Sequence, residues 1–330
     1  MRIALTGATG FIGSHLTTAL VAAGVRVRAL LRPRSASGRE HQLRDLPTGV
    51  DVVRGDLGSD SALRELVRGQ DAVVHLAGLT RATSAAAMDA SNVGGTRALL
   101  TAMRDAAPPP AHLVLISSQA AVGPSWDGRP VAENRDARPV SRYGRSKRGA
   151  ERLAIREPRP VSVVRPPTVY GPRERDVLSY FRLVHRGILP VLSHETTLSI
   201  VYVHNLIDAL LRVLGGPAPP PGGRILHVAD AGATSMAAFG VMIAAHYHRH
   251  VHRVVVPVAF LAALGFLLEG LSVASGKAAL LGRDKLREIR QPAWLLSTRA
   301  SANLLGYAPA LDTAAGIAET ARWYAEHGWL

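Results

Sequence analysis

A tyrosine and a lysine four positions apart offer acid–base chemistry. Tyr143 and Lys147 lie in the stretch Ser-Arg-Tyr-Gly-Arg-Ser-Lys, which begins at Ser141 and is predicted to start a helix. Residues four apart share one face of a helix. A phenol has a reference pKa of about 10, and a nearby cation lowers that pKa because it favours the phenolate. We therefore predict that Tyr143 exchanges a proton with a substrate oxygen and that Lys147 lowers its pKa.

Ser118 is the third candidate for the same site. It comes two residues after the apolar run 113–116, which is predicted as a strand. Ligands of open α/β sheets collect at the carboxyl ends of the strands. The Ser118 hydroxyl is therefore predicted to hold a substrate oxygen against Tyr143. Each of the three residues, taken singly, has an alternative interpretation: Tyr143 as a packing residue, Lys147 as a surface residue and Ser118 as a cap of the strand.

Three glycines follow the first apolar run and lead into a helical pattern. Gly7 permits a tight turn, Gly10 lets the backbone approach a pyrophosphate, and Gly13 allows close packing of helix on strand. The N-terminus of the helix then offers free N–H groups and a positive dipole to phosphates. The pattern predicts a dinucleotide-binding loop, with a plain glycine-rich turn as the alternative.

The end of the second predicted strand carries cations. An enzyme that holds NAD usually has a carboxylate there, about 20 residues after the glycines, against the ribose hydroxyls. This chain has Leu31 followed by Arg32, with Arg34 and Ser35 close by. A cation at this place favours the 2′-phosphate of NADP, so NADP is the predicted cofactor and NAD the alternative. Otherwise Arg32 is only a solvated loop residue.

Strands and helices alternate in the first half, which predicts βαβ units and a parallel sheet covered on both faces. The fold class is predicted as α/β: a Rossmann doubly wound parallel sheet in residues 1–172 and a smaller, interleaved C-terminal substrate lobe in residues 173–330. Predicted strands cover residues 3–5, 25–31, 51–53, 72–75, 113–116, 161–164, 199–203 and 225–228. Later helices are predicted over residues 177–185, 205–214, 236–246 and 312–326, with a loop at 215–223.

Composition narrows the class of protein. With 47% hydrophobic and 19% charged residues, the chain can bury a sizeable core. It has no cysteine, which excludes disulfides and thiolate nucleophiles. The net charge of +14 raises nucleic-acid binding, but the arginines are scattered and aromatic residues make up only 5%. We expect no nucleic-acid partner, no signal peptide at the start of this sequence and a cytoplasmic location.

Two later segments have more than one interpretation. Residues 254–281 are largely apolar but are interrupted by Pro257, Glu269 and Lys277, so a membrane span is disfavoured. A buried helix is the favoured interpretation, and a surface that contacts lipid or a greasy substrate is the alternative. The alternating histidines His246, His248, His250 and His252 suggest metal ligands, but no carboxylate cluster accompanies them, so a solvated turn is favoured and no metal site is predicted.

Several motifs, in order, resemble the extended short-chain dehydrogenases of the NAD-dependent epimerase/dehydratase family. They are Thr6-Gly7-Ala8-Thr9-Gly10-Phe11-Ile12-Gly13, Gly55-Asp56-Leu57, His75-Leu76-Ala77-Gly78, Asn92-Val-Gly-Gly-Thr, Tyr143-Gly-Arg-Ser-Lys147 and Arg165-Pro166-Pro167-Thr168-Val169-Tyr170-Gly171-Pro172. The similarity spans nearly the whole chain. It implies hydride transfer at a secondary alcohol or ketone, with Ser118, Tyr143 and Lys147 as the catalytic trio.

The resemblance also assigns further roles. Asn92 supports a proton relay through its helix backbone, Lys147 binds the nicotinamide ribose, and Asp56 and Leu57 contact the adenine. A homodimer is common in the family. With Arg32, the predicted cofactor-binding residues are Gly7, Thr9, Gly10, Phe11, Ile12, Gly13, Asp56, Leu57, Leu76, Ala77, Gly78, Ser117, Tyr143, Lys147, Pro167, Thr168 and Val169.

Departures from the family pattern guide the choice of substrate. The sugar-nucleotide dehydratases that this chain resembles have an acidic pair where Gln119 and Ala120 stand here. The epimerases that it resembles have an asparagine at the position of Thr168. We therefore predict reduction or oxidation of a ketone/alcohol pair on a lipophilic or polyketide-like small molecule. A nucleotide-sugar epimerase with tightly bound NAD is the alternative. A non-catalytic NADP-sensing protein is the third candidate, and the presence of Ser118, Tyr143 and Lys147 argues against it. Because residues 254–281 are largely apolar, they also allow peripheral contact with a membrane.

Overall fold

Seven parallel strands form the central sheet. The structure is a computed structural model and describes residues 1–32, 46–220, 222–275 and 282–330. The strands are β1 (Arg2–Thr6), β2 (Arg26–Leu31), β3 (Asp51–Arg54), β4 (Ala72–His75), β5 (His112–Ile116), β6 (Val161–Arg165) and β11 (Arg224–His227). Their order is β11-β6-β5-β4-β1-β2-β3, and every neighbouring pair is parallel. The predicted Rossmann doubly wound sheet is confirmed, and the order reverses between β1 and β4.

Helices cover both faces of this sheet because successive strand residues point to opposite sides. Ile3 and Leu5 belong to one buried cluster and Ala4 to the other. The helices are α1 (Phe11–Ala22), α2 (Asp60–Val67), α3 (Ala85–Asp89), α4 (Gly95–Asp105), α5 (Gln119–Val122), α6 (Arg142–Ile155), α7 (Leu178–His185) and α8 (Val203–Gly215). A π-helical turn, Ala90–Gly94, joins α3 to α4.

The second half of the chain builds small sheets beside the central one. The short strands β7 (Thr168–Tyr170) and β10 (Ile200–Tyr202) form a pair, as do β8 (Ile188–Leu192) and β13 (His252–Val256). Strands β12 (Thr234–Ser235), β9 (Thr197–Leu198) and β14 (Ala293–Trp294) form a third sheet. The remaining helices are α9 (Met236–His246), α10 (Val258–Ser275), α11 (Arg283–Ile289), α12 (Arg299–Leu305) and α13 (Thr313–Glu326). Since β11 pairs with β6, the second half does return to the central sheet.

The predicted buried helix in residues 254–281 is wrong. Residues up to Val256 continue β13, and α10 begins after Pro257. Phe260, Phe266 and Leu267 are 61%, 62% and 61% exposed. The reason is that, within the described residues, α11 is the one element that packs extensively on α10. Lys277, in the stretch 276–281, lies outside the described residues.

The histidine-rich segment is an exposed turn, as favoured. His246 ends α9, His248 has a φ of 51° and His252 begins β13. Within the described part of the chain, no three His, Asp or Glu side chains converge as metal ligands would. None of the helices described is long and apolar enough to pass through a bilayer.

Candidate active site

The glycine loop between β1 and α1 forms an open cradle. Gly7 has a φ of +78°, and a Cβ there would lie 2.8 Å from the Ala77 nitrogen. A Cβ on Gly13 would overlap the Gly7 carbonyl, whereas a Cβ on Gly10 would meet that carbonyl oxygen at 3.2 Å and otherwise face open space. Gly10 is therefore the position at which another molecule can approach the backbone.

The N-terminus of α1 is a candidate binding site for an anion. Neither a side-chain cap nor an acidic residue occupies its first turn, which begins with Phe11 and Ile12. The free N–H groups and the dipole of this helix suit a pyrophosphate. These residues therefore fit the dinucleotide that the sequence implies, with Thr9 and Gly10 at the loop surface.

The predicted adenosine contacts lie at the same edge of the sheet. Arg32 is exposed directly after β2. Asp56 follows β3 and accepts a hydrogen bond from the Gly58 nitrogen at 2.9 Å, while Leu57 packs against Gly95. Arg34 and Ser35 lie outside the described residues. Leu76, Ala77 and Gly78 follow β4, next to the glycine loop.

Close packing of α5 on α6 brings Tyr143 to Ser118. A Cβ on Gly144 would overlap the Ala120 carbonyl oxygen, so only glycine allows this approach. The Ser118 hydroxyl caps α5 by accepting a hydrogen bond from the Ala120 nitrogen at 3.1 Å. It also lies close enough to the Tyr143 side chain to lower the pKa of that phenol. The predicted proximity of these two hydroxyls is therefore present in the structure.

Burial opposes the predicted lowering of the Tyr143 pKa by Lys147, and this lowering stays a prediction. Burial raises the pKa of Tyr143 to about 12; the Ser118 hydrogen bond opposes this increase and the Glu288 carboxylate adds to it. The ammonium of Lys147 instead donates a hydrogen bond to the Ile116 carbonyl at 2.6 Å. Burial lowers the pKa of Lys147 to about 8, against the opposing effect of Glu151. At neutral pH the phenol of Tyr143 is thus a proton donor.

Asn92 holds the loop after β4 to the catalytic helix. Its Oδ1 accepts from the Leu79 nitrogen at 2.7 Å, and its Nδ2 donates to the Ser146 hydroxyl at 2.8 Å and to the Leu79 carbonyl at 2.9 Å. Ser146 donates in turn to the Tyr143 carbonyl. The side chain of Asn92 therefore joins the loop after β4 to α6, whereas the relay through its backbone stays a prediction.

His75 extends this network across the sheet. Its Nδ1 lies 2.7 Å from the Thr6 hydroxyl and its Nε2 lies 3.1 Å from the Thr96 hydroxyl. Thr96 donates to the Asn92 carbonyl, so its oxygen is left to accept from Nε2–H. Nδ1 then accepts from Thr6. Burial lowers the pKa of His75 to about 3, which keeps the ring neutral and this arrangement fixed.

Ser117 contributes to a buried ion pair. Its hydroxyl donates to Glu151 at 2.6 Å, and Arg165 binds the same carboxylate through Nε at 2.7 Å and Nη2 at 2.8 Å. Ser117, Glu151 and Arg165 are all buried. The predicted cofactor contact of Ser117 would therefore have to come from its backbone.

The predicted nicotinamide contacts follow β6. Pro167 is buried, and Thr168 is exposed at the start of β7. Val169 is partly buried in the same strand, which pairs with β10. These three residues lie beyond the carboxyl end of β6, whereas Ser118 lies beyond that of the neighbouring β5.

Two carboxylates that the sequence analysis missed reach the catalytic helix. Asp284 accepts from the backbone N–H of Arg142 at 2.6 Å and of Tyr143 at 3.2 Å. Glu288 accepts from the Ser141 hydroxyl at 2.7 Å. Both come from α11, 141 residues or more along the chain, and no local pattern in the sequence points to them.

Proteins similar to this chain include reductases and epimerases. Residues 3–229 match the NAD dependent epimerase/dehydratase family. A ceramide reductase of Caulobacter vibrioides is 32% identical over 333 residues, covering 99% of this chain and 96% of that protein. A farnesyl-dihydroquinoline-oxide ketoreductase of Stigmatella aurantiaca is 35% identical over 183 residues, 52% of this chain and 51% of that protein. The crystal structure of a UDP-glucuronic acid 4-epimerase from Bacillus cereus in complex with NAD has a TM-score of 0.77 at 20% identity, covering 99% of both chains.

Proposed function

The chain belongs to the NAD-dependent epimerase/dehydratase family, and from that premise we propose that it reduces a ketone on a lipophilic or polyketide-like substrate. The supporting observation is the protonated phenol of Tyr143 facing Ser118 beyond the carboxyl ends of the strands. A reductase needs a group that donates a proton to the developing alkoxide. The relative that matches almost end to end is named for reduction of a ceramide.

The residues divide the work of this reaction. A reduced nicotinamide, when bound, supplies the hydride to the carbonyl carbon. Tyr143 donates its hydroxyl proton to the carbonyl oxygen, and Ser118 donates a hydrogen bond that holds this oxygen in place. Lys147 binds the nicotinamide ribose, and the glycine loop binds the pyrophosphate. Asn92 positions the helix that carries Tyr143 and Lys147.

Exchange of Tyr143 for phenylalanine tests the role of the phenol. We expect Tyr143→Phe to lower kcat for ketone reduction by about 10²- to 10⁴-fold, as removal of a general acid does. Nucleotide affinity should stay near the wild-type value, because the phenol is not a phosphate ligand. Undiminished turnover of a long-chain ketone by the variant would exclude Tyr143 as the proton donor.

The cofactor proposed is NADP, held through Arg32. Arg32 is exposed at the carboxyl end of β2, whereas Arg26 is exposed at the opposite end of the same strand. Arg32→Ala should weaken NADPH binding about tenfold, the size of one charge-assisted contact, and leave NADH binding unchanged. Arg26→Ala is the matched control and should change neither. Equal losses for both nucleotides would count against the 2′-phosphate contact.

An epimerase remains the second candidate, because the fold is shared with a UDP-glucuronic acid 4-epimerase. The two candidates differ in how they keep their cofactor. Protein purified without added nucleotide is denatured and any released nucleotide is identified by mass spectrometry. A near-stoichiometric amount of NAD would favour the epimerase, which regenerates its cofactor in each turnover. Empty protein that binds NADPH reversibly and reduces a long-chain ketone would support the reductase. A homodimer and a cytoplasmic location stay predictions.

A further inference from the structure

The outward side of α10 is apolar throughout. Its exposed residues up to Gly270 recur at the three- and four-residue spacing of one helix face, and none is polar. We call this stripe the apolar face; its members are Ala259, Phe260, Ala263, Phe266, Leu267 and Gly270. A surface helix normally presents polar residues on this side. An exposed stripe of this kind marks a place where another apolar surface binds.

Strand β13, which runs into α10, adds to the exposed apolar surface. Val254 and Val255 are both exposed, although successive strand residues point to opposite faces. The cause is that β13 belongs to a two-stranded sheet with β8 alone. The strand and the helix therefore present large aliphatic and aromatic side chains next to each other in the chain.

Cations flank the apolar face on the neighbouring helix. In α11, Lys285 and Arg287 have side chains that are 58% and 52% exposed, whereas Asp284 and Glu288 are only 28% and 14% exposed. The two carboxylates face the start of α6. Lys285 pairs with Glu288 at 3.0 Å and Arg287 with Asp284 at 3.9 Å, but the cation is the more exposed partner in both pairs, so the exposed side of α11 is cationic. The guanidinium of Arg283 also lies 4.4 Å from the centre of the Phe266 ring, which joins the two helices' exposed sides.

We propose that the apolar face docks on an anionic bilayer surface. Phe260, Phe266 and Leu267 would enter the acyl-chain boundary while the α11 cations lie at the headgroups, the arrangement of an interfacial helix. The combination of apolar stripe and cationic flank fits this partner. A second copy of the chain fits it less well, because each copy carries a net charge of +14 and the same cations would meet.

The position of α11 gives this docking a use. The helix packs on α10 and also contacts the first turn of α6, which carries Tyr143. A lipophilic ketone held in the bilayer would thus lie close to the proton donor. This use rests on the proposed function, whereas the docking itself does not.

Sedimentation with vesicles tests the docking. Full-length protein is mixed with phosphatidylcholine vesicles that contain phosphatidylglycerol, or with phosphatidylcholine vesicles alone. We expect at least about tenfold stronger binding to the anionic vesicles. Phe260→Ser with Leu267→Ser should weaken that binding at least about tenfold. The matched control replaces two exposed apolar residues elsewhere, Val241→Ser and Leu304→Ser, and should bind like the wild type.

Charge and activity measurements separate the remaining outcomes. Two further exposed cations lie beside the face, Arg253 in β13 and Arg290 directly after α11. Arg253→Gln with Arg290→Gln should weaken binding to anionic vesicles only. All variants should reduce a water-soluble short-chain ketone at the wild-type rate, which shows that they are folded. Wild-type protein that reduces this ketone but ignores vesicles would overturn the docking. So would a dimer, seen by analytical ultracentrifugation, that Phe260→Ser with Leu267→Ser converts to monomer. Vesicle binding without any ketone reduction would instead overturn the proposed function alone.

Discussion

Burial pushes the two ionisable residues of the site toward their neutral forms. It raises the pKa of Tyr143 to about 12 and lowers the pKa of Lys147 to about 8. The desolvation that favours a neutral phenol also disfavours an ammonium. Lys147, and not Tyr143, is therefore the group of the pair that titrates closest to physiological pH.

This order predicts the pH dependence of ketone reduction. The groups that act on Lys147 are Glu151 on its own helix, which raises its pKa, and His75, which is neutral. As the pH rises through about 8, Lys147 loses the proton that lets it bind a ribose hydroxyl. We expect kcat/KM to fall there, since this ratio reports ionisations of the free enzyme.

Lys147→Arg provides the control for this assignment, because a guanidinium keeps its charge far above pH 8. The falling limb of the profile should move upward by more than one pH unit even if the maximal rate drops. A limb that stays in place in the variant would assign it to another group.

The glycines of the loop have separable effects. Gly13→Ala forces a Cβ into the Gly7 carbonyl, and we expect a loss of about 1–3 kcal/mol in the free energy of unfolding. Gly10→Ala meets mostly open space, so we expect stability within about 1 kcal/mol of the wild type but nucleotide binding weakened at least about tenfold. Calorimetry measures both quantities. Gly270→Ala, in α10, has nothing within 4 Å and should impair neither.

At the scale of elements, the start of α6 is held from two directions. Ser141 caps the helix by accepting from the Gly144 nitrogen at 2.9 Å, and Asp284 of α11 accepts from the two preceding N–H groups. Carboxylates also interact favourably with the positive end of the helix dipole. Helix α11, from the second half of the chain, therefore holds the backbone that carries Tyr143.

Asp284→Ala should reveal this positioning. We expect a loss of about 0.5–2 kcal/mol in the free energy of unfolding, the usual value of an N-terminal cap, together with a fall in kcat and a nearly constant KM. Asp284→Asn keeps one acceptor and should recover part of kcat. Asp312 caps α13 in the same way, by accepting from the Ala315 nitrogen at 2.8 Å. Asp312→Ala is the control: it should cost similar stability without the fall in kcat.

The elements that local pattern defines were predicted well. β4 has the predicted bounds, and the bounds of the other strands of the first half differ from the predicted ones by at most one residue at each end. Gly7 meets Gly13, and Ser118 meets Tyr143, because each lies at a strand end or helix start that the pattern locates. Asp284 and Glu288 could not be predicted, because their contacts join residues 141 or more positions apart. The exposure of α10 was only the alternative interpretation, for a related reason. An apolar run in a sequence does not show which other part of the molecule, if any, packs on it.

On the scale of the whole molecule, the two halves share one core. A single buried cluster contains Ile3 and Leu5 of β1 together with Leu206 of α8, Ile243 of α9 and Tyr324 of α13. Strand β11 also completes the edge of the central sheet beside β6. Within the described residues, the buried core therefore continues across the predicted division at residue 172.

This shared core predicts one cooperative unfolding transition. In differential scanning calorimetry we expect a single peak, and saturating NADPH at 100 times its Kd should stabilise the whole transition by about 2.7 kcal/mol. Two peaks, of which only one moves with nucleotide, would show that residues 1–172 and 173–330 unfold independently. Gly10→Ala is the control, since a tenfold weaker affinity at the same NADPH concentration should reduce this stabilisation to about 1.4 kcal/mol or less.

The contact between Asp284 and the start of α6 also sets an order of events during synthesis. Domains fold as they leave the ribosome, N-terminal parts first. The glycine loop and Tyr143 emerge early, but the carboxylate that clamps the catalytic helix follows 142 residues after Arg142. A growing chain can therefore assemble its nucleotide cradle well before its proton donor is fixed in place. Under the proposed function, turnover would wait until residue 284 has been synthesised.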